Sequence, residues 1–492
     1  MKDLKEKTIR GGLSRMCAQA ANFGLRLVAL MVLARLLGPK EFGLVGMVTA
    51  FTGVLDLFRD FGLSTASVQR ATVTEEQVST LFWINLLVGT TLGVLVLALA
   101  PVIASFYHEP RLFWIARVMA AGFVFNAAGV QHSARLQRDM RFTALAIINV
   151  VALVISSGTA IVMAKMGYGY WSLVAMTVIL PLATTTGLWL TARWVPGPPR
   201  KRVGIRSMLQ FGGAVTLNSL VVYAAYNLDK VLLGRYWGAA VVGLYGRAYQ
   251  LVTIPTNNLN QAVGEVAFSA LSRVQDDPNR FRNYFLKGYS LVTAMTLPVT
   301  LACALFAKDL VLVVLGPKWV DTAVIFRLLT PTIMIFALIN PVGWLQLALG
   351  MVVRSLKLDL LLAAIVITGY VIGVPYGAKG IALAFSAAMT FWFIPHIALC
   401  LHGTMVSLRD VVLAASRPLL SGIVATVIAF GVEFSYGGSL SPLGRLTLGG
   451  LVLLSAYVGM LLYVMGQKQF YVQLLRSLRK PATTGDTVLA SA

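Results

Sequence analysis

The sequence predicts an all-α polytopic membrane protein, with about fourteen transmembrane helices forming two parallel six-helix lobes followed by two extra C-terminal helices. Three observations carry this expectation: composition, the recurrence of membrane-length apolar stretches, and an internal duplication. Of the 492 residues, 58% are hydrophobic and 12% charged, and the mean hydropathy is +0.78. Soluble domains run to about 45–50% apolar and about 25% charged. Even a soluble domain of about 300 residues buries only about 75% of its unfolded surface, so this much apolar side chain has no water-soluble solution.

Taken in order, the apolar stretches lie near residues 15–37, 43–66, 80–106, 112–133, 143–165, 169–194, 208–233, 238–269, 284–306, 320–349, 357–375, 378–402, 411–433 and 444–466. Each is close to the roughly 20 residues a helix needs to cross hydrocarbon. The organisation that follows is a cytoplasmic N-terminus (1–14), a first lobe of six spans (15–194), a basic cytoplasmic linker (195–207) with PGPPRKR at its centre, a second lobe (208–402), a thirteenth and fourteenth span within 411–466, and a cytoplasmic tail (467–492). The segment MKDLKEKTIRGGLSR runs straight into the first apolar stretch without an A-x-A site, so it reads as an uncleaved first span. Cys17, Cys303 and Cys400 are odd in number and lack C-x-x-C spacing, which argues against a disulfide framework or a metal knuckle.

The net charge of +22 has a topological explanation. With the N-terminus inside, 26 of the 41 Lys and Arg residues fall in cytoplasmic segments and 8 in outside loops, the bias of the positive-inside rule. An even number of spans then places both termini in the cytoplasm. Nucleic acid is not an expected partner. Seven cations remain within spans.

Placing residue n over n+200 aligns LARLLGPKEFGLVG (Leu33 to Gly46) with LGRYWGAAVVGLYG (Leu233 to Gly246) at six identical positions. Both copies occupy the first outside hairpin of a six-span group, so the halves run parallel, one of the known designs of secondary transporters.

No G-x-x-x-x-G-K-[ST], G-x-S-x-G or H-E-x-x-H occurs, and no loop is long enough for a glycosyltransferase site. The chain therefore reads as a non-enzyme without cofactor or metal. Charges inside spans become the functional candidates, because each costs at least about 2.5–3.5 kcal/mol to insert. Arg15, Gln19, Asn22 and Arg26 recur at i, i+4, i+7 and i+11, a narrow hydrophilic stripe on the first span. Asp56, Arg59 and Asp60 stand within one turn of the second. On the seventh, Asn218 and Asp229 share a face; on the eighth, Arg247, Gln250, Asn257, Gln261 and Glu265 share one, with Pro255 permitting a bend. These are the leading span pairs of the two repeats, and facing each other they would line a polar cavity. Arg26, Arg59 and Arg247, with Asn22, Gln19, Asn257 and Gln261, are the expected substrate contacts. Arginine stays ionised and presents a planar fork suited to phosphate, so the expected cargo is anionic. Asp56, Asp60, Asp229 and Glu265 either pair with these arginines or carry a coupling proton or sodium ion.

The segments LARLLGPKEFGLVGMVTAF (Leu33 to Phe51), DLFRDFGLSTASVQR (Asp56 to Arg70), NLDKVLLGRYWGAAVVGLYGRAYQL (Asn227 to Leu251), FSALSRVQDDPNRFRNYF (Phe268 to Phe285) and LGPKW (Leu315 to Trp319) resemble the polysaccharide transporter branch of the MOP flippase superfamily. The resemblance implies the MOP/MATE-like V of two lobes and alternating access. It also implies a cationic cavity that holds the diphosphate and sugars of an undecaprenyl-diphosphate-linked repeat unit. The implied setting is the bacterial inner membrane, beside a polymerase and glycosyltransferases of exopolysaccharide, colanic-acid-like or O-antigen synthesis. A multidrug or cation antiporter of the same fold, for which a cationic cavity has the wrong sign, and a membrane-embedded polymerase or ligase are the alternatives.

Overall fold

The computed structural model describes residues 21–58, 74–200, 206–436, 440–469 and 471; the side chains of 206–222, 224, 257–263, 265, 266, 268–270, 352 and 436 lie outside that description. Apart from the connections between helices, the described residues are helical, with no strand among them. The first elements are α1 (residues 21–36), α2 (Pro39–Asp56), α3 (Glu75–Tyr107), α4 (Arg111–Arg138), α5 (Phe142–Lys165), α6 (Trp171–Ala192) and α7 (Arg206–Ser272). There follow α8 (Pro278–Leu305), α9 (Ala307–Val314), α10 (Thr322–Leu329), α11 (Pro331–Ala348), α12 (Val352–Gly373), α13 (Gly377–Leu401), α14 (Leu408–Tyr436) and α15 (Pro442–Gly459).

Helix starts are written locally. Thr74 and Gln77 form a reciprocal capping box, with side chain to backbone bonds of 3.2 and 3.1 Å, and Glu75 and Glu76 add negative charge to the first turn of α3. Pro39 and Pro278 occupy first-turn positions where the missing N–H costs nothing.

Nine helical stretches among the described residues are long and apolar enough to cross a membrane, fewer than the fourteen expected. The nine stretches do not map one to one onto the fourteen expected. The expected first span starts in residues outside the description. One stretch, Val353–Leu401, joins α12 and α13 across the turn Val374–Tyr376 and so holds two of the expected spans. The expected seventh and eighth spans are two helical segments of α7 that meet in a kink at Gly238, where φ 79° and ψ −179° are open to glycine and not to other residues.

By contacts the chain divides into two compact units: Met1–Arg247 with Val314–Asp321 and Asp359–Ala384, and Ala248–Val313 with Thr322–Leu358 and Phe385–Ala492. In the first unit α2 and α7 meet through the internal repeat. A methyl group on Gly43 would fall inside the van der Waals shell of the Ala239 carbonyl, and one on Gly243 inside that of the Pro39 carbonyl. Residues 39 and 239, like 43 and 243, are related by the 200-residue offset, so each copy of the repeat seats its glycine on the equivalent carbonyl of the other. The linker continues in this unit along α3: Gly197 N–H donates to Ser79 Oγ at 3.1 Å, Arg200 N–H to Thr80 Oγ1 at 3.2 Å and Trp83 Nε1–H to Gly197 O at 2.8 Å.

In the second unit the two C-terminal helices pack on α8. Ala294, Leu297, Ala425, Ala429, Leu453, Tyr457 and Leu461 form one buried cluster, and the Tyr457 hydroxyl donates to Ala294 O at 3.0 Å. Two ion pairs tie the ends: Arg445 to Asp309 at 2.6 Å and Arg282 to Asp410 at 2.5 Å.

Candidate functional site

Arg247 of α7 is held by an aromatic stack. Arg247 places its guanidinium carbon 4.4 Å from the centroid of the Phe42 ring on α2, within the range of a cation–π contact. Phe42 in turn meets the Trp319 ring edge-on, with centroids 5.3 Å apart at 71°. Trp319 is wholly buried, and its indole N–H donates to Ala34 O at 2.8 Å; Lys318 Nζ donates to Leu36 O at 3.4 Å. Those carbonyls belong to the last turn of α1, where a helix leaves its acceptors without intrahelical donors. The LGPKW segment therefore closes the end of α1 and supports the platform beneath Arg247.

Asp229, also on α7, is fully buried, and its Oδ1 accepts the Lys230 backbone N–H at 2.7 Å. The Lys230 ammonium donates to Asn227 Oδ1 at 2.7 Å, one turn back on the same helix.

A cavity of about 440 Å³ opens within the first unit. Thr49, Thr52 and Asp56 line it from α2, Asn126 and Phe123 from α4, Thr177 from α6 and Tyr223 from α7. The Tyr223 hydroxyl donates to Thr49 O at 3.2 Å, across the foot of Gly53.

Of the residues singled out by sequence, Arg26 is exposed on α1, and Asn22, one turn before it, is half-buried. Gln19, Arg59 and Asp60 lie outside the described residues. Asn257, Gln261 and Glu265 lie on helical backbone of α7 beyond Pro255, with their side chains outside the description. Arg247, Asp229 and Asp56 are in the first unit, each with the surroundings given above. Phe42, Trp319, Asn126, Thr177 and Tyr223 were not singled out as site residues. Trp319 and Phe42 sit in quoted motifs, but an aromatic in an apolar stretch carries no mark of what it supports. Asn126, an amide within the expected span 112–133, was a legible signal in the sequence.

Comparison with known proteins follows the same lines. The model of a family described as "Polysaccharide biosynthesis protein" matches residues 32–324, the stretch that holds all five motifs from Leu33 to Trp319. The lipopolysaccharide biosynthesis protein WzxC of Escherichia coli K12 is 29% identical over 390 residues, covering 78% of this chain and 78% of WzxC. The solved structure of the lipid II flippase MurJ in an inward closed conformation superposes with a TM-score of 0.75 at 13% identity, covering 94% of this chain and 99% of MurJ. An inward-facing multidrug resistance MATE family transporter of the MOP superfamily follows at TM-score 0.61 and 16% identity, covering 78% of this chain and 96% of the other. At such identities the structures speak to fold alone. A multi-pass, all-helical membrane chain whose residues 32–324 match that model, this chain belongs to the polysaccharide biosynthesis protein family and has the fold of the MOP superfamily.

Proposed function

We propose that the chain is a flippase that carries an undecaprenyl-diphosphate-linked oligosaccharide across the bacterial inner membrane by alternating access, and that it has no catalytic activity of its own. The observation that carries this reading is Arg247: a guanidinium on α7, in a stretch read from the sequence as the eighth span, braced on the Phe42 ring in a member of a polysaccharide biosynthesis family. A charge so placed is costly unless function requires it. A diphosphate is the cargo group that a planar, permanently charged fork matches best.

In this reading Arg26, Arg59 and Arg247 meet the diphosphate, and Asn22, Gln19, Asn257 and Gln261 supply neutral hydrogen bonds along the same stripes. Asp56, Asp60, Asp229 and Glu265 balance the arginines or carry a coupling proton or sodium ion. The lobes are 15–194 and 208–402, with both termini in the cytoplasm. The product feeds polymers of the exopolysaccharide, colanic-acid-like or O-antigen class, made by a polymerase and glycosyltransferases of the same pathway. The shared MATE fold keeps a multidrug antiporter as the second reading, and the sign of Arg247 disfavours it for cationic drugs.

The deciding experiment is transport of lipid-diphosphate-linked oligosaccharide in proteoliposomes holding the purified chain. Arg247→Ala abolishes transfer while the protein still inserts and remains monodisperse. Unchanged transfer by that variant, or drug efflux by the wild type without oligosaccharide transfer, overturns the assignment.

A further inference from the structure

The helix α4 is one of the stretches long and apolar enough to cross a membrane, and it has 28 residues. That length rises about 42 Å against a hydrocarbon core of about 30 Å, so about 6 Å at each end stands among the headgroups when the helix is centred. Arg117 follows Arg111, the first residue of the helix, by about 9 Å along the axis. Its backbone therefore lies just inside the hydrocarbon edge.

The side chain turns back toward that edge. Its guanidinium carbon is 4.5 Å from the Phe113 ring centroid and 5.4 Å from that of Trp114. Both rings are about one turn nearer the start of the helix, the direction in which helical side chains lean. The charge is thus carried to about 3–5 Å from the helix start, at headgroup level, as a snorkelling arginine carries it.

The face around it is built for lipid. Trp114, Arg117, Val118 and Ala121 are exposed and stand at i, i+3, i+4 and i+7, whereas Met119 and Phe123, on the cavity side of the same helix, are buried. Trp114 is 58% exposed, and an exposed indole at this depth is the mark of an interfacial aromatic belt.

The protein supplies this guanidinium with no anion among the described residues. Its contacts there are the two rings, and no carboxylate or carbonyl oxygen meets its N–H groups. The other ends differ: Arg111 pairs with Glu109 at 3.5 Å and Arg135 with Glu75 at 2.9 Å. The rings engage the charge of Arg117 and leave its five N–H donors to other acceptors. Water satisfies the donors and leaves the charge unbalanced. A phosphodiester does both, through two parallel bonds to the planar fork.

We propose that Arg117, with Phe113 and Trp114, forms a binding site for the phosphate of an anionic glycerophospholipid, whose acyl chains lie along the exposed face of α4. In the orientation proposed above this is a lipid of the outer leaflet. A net negative lipid is the occupant because a zwitterionic one brings its own ammonium group to its phosphate. The site requires only that α4 crosses the membrane, so it stands apart from the cargo-binding residues and from the flippase reading.

The test is native mass spectrometry of the full-length protein in detergent, titrated separately with phosphatidylglycerol and phosphatidylcholine. The wild type binds its first phosphatidylglycerol about tenfold or more tightly than phosphatidylcholine. Arg117→Gln lowers the phosphatidylglycerol affinity by about tenfold, the loss expected for one charge-assisted pair, and leaves phosphatidylcholine unchanged. Arg117→Lys, which keeps the charge and loses the fork, falls between. The residue is exposed, so Arg117→Gln keeps the wild-type unfolding midpoint in lipid-free detergent, which separates lost binding from misfolding. Equal phosphatidylglycerol affinity for wild type and Arg117→Gln, or an equal loss for both lipids, overturns the site. A third titration, with undecaprenyl diphosphate, separates the phospholipid from the carrier of the cargo. Its affinity is unchanged in Arg117→Gln, and a loss there as large as that for phosphatidylglycerol overturns the assignment to phospholipid.

Discussion

Arg247 rests on Phe42. Phe42 lies in the first copy of the internal repeat and Arg247 directly follows the second, and the 4.4 Å between guanidinium carbon and ring centroid makes the first copy the support for that charge. A desolvated cation–π contact is worth about 2 kcal/mol, enough to fix the head group of a long, otherwise rotamer-rich side chain. Phe42→Leu preserves burial and removes the π face, so oligosaccharide transfer in proteoliposomes is expected to fall by about tenfold, since 1.4 kcal/mol corresponds to a factor of ten. Phe42→Trp, which supplies a stronger π face, retains transfer. Equal rates for Phe42→Leu and wild type would show that the ring is only packing.

The segment Val314–Asp321 leaves the second unit, joins the first and returns, and Trp319 is its anchor. Trp319→Phe keeps an aromatic ring but removes the N–H that reaches Ala34 O together with part of the indole, at an expected cost of at least the roughly 1–3 kcal/mol for the acceptor left unmet. Trp319→Ala also opens a cavity under Phe42 and costs about 3–5 kcal/mol. Thermal unfolding in detergent, followed by size-exclusion chromatography, ranks the two. An equal loss of stability in both variants would mean that the N–H and the part of the indole lost in Trp319→Phe carry the whole effect.

Much of this arrangement is legible in the sequence, and the boundary has a physical basis. Membrane-length segments follow from apolar content alone, because a bilayer demands a fixed helix length. The repeat was readable because Gly43 and Gly243 both sit where backbones approach too closely for any side chain, which holds both positions to the same residue. Helical spacing placed Arg247 on a polar stripe. It could not place Phe42 beneath Arg247 or Trp319 beside Phe42, since these meetings join residues about 200 and about 280 apart in the chain through tertiary packing. The cavity beside Asp56 is not legible for a related reason. Its polar wall residues lie on four helices, and only the fold brings them together.

Within the second unit the ion pair Arg445–Asp309 is expected to matter more than Arg282–Asp410. The Asp309 side chain is 6% exposed, whereas Arg282 is 43% exposed and largely solvated. Asp309→Asn removes a charge-assisted bond from the Arg445 guanidinium, with an expected loss of about 1.5–3 kcal/mol. Asp410→Asn should shift the unfolding midpoint by less. The comparison is made by thermal unfolding with and without high salt, which screens only the exposed pair. A larger shift for Asp410→Asn would reverse the ranking.

The reciprocal seat of Gly43 and Gly243 makes a prediction that depends on position and not on residue type. Three glycine pairs recur in the aligned windows, 38/238, 43/243 and 46/246, and the last two differ in their surroundings. A methyl group added to Gly246 meets nothing within 4 Å, and one on Gly46 comes no nearer than 3.4 Å to Val242 Cγ1. On Gly43 or Gly243 it collides with a backbone carbonyl, which cannot swing aside as a side chain can. Gly43→Ala and Gly243→Ala are therefore expected to destabilise the first unit by the roughly 1–3 kcal/mol typical of overpacking, and the double variant by less than their sum because both relieve the same crossing. Gly246→Ala is expected to be neutral or slightly stabilising, as alanine is the better helix former. Unfolding midpoints of the three single variants and the double variant decide the matter. Equal midpoints for Gly243→Ala and Gly246→Ala would show that α2 and α7 do not cross at these two carbonyls.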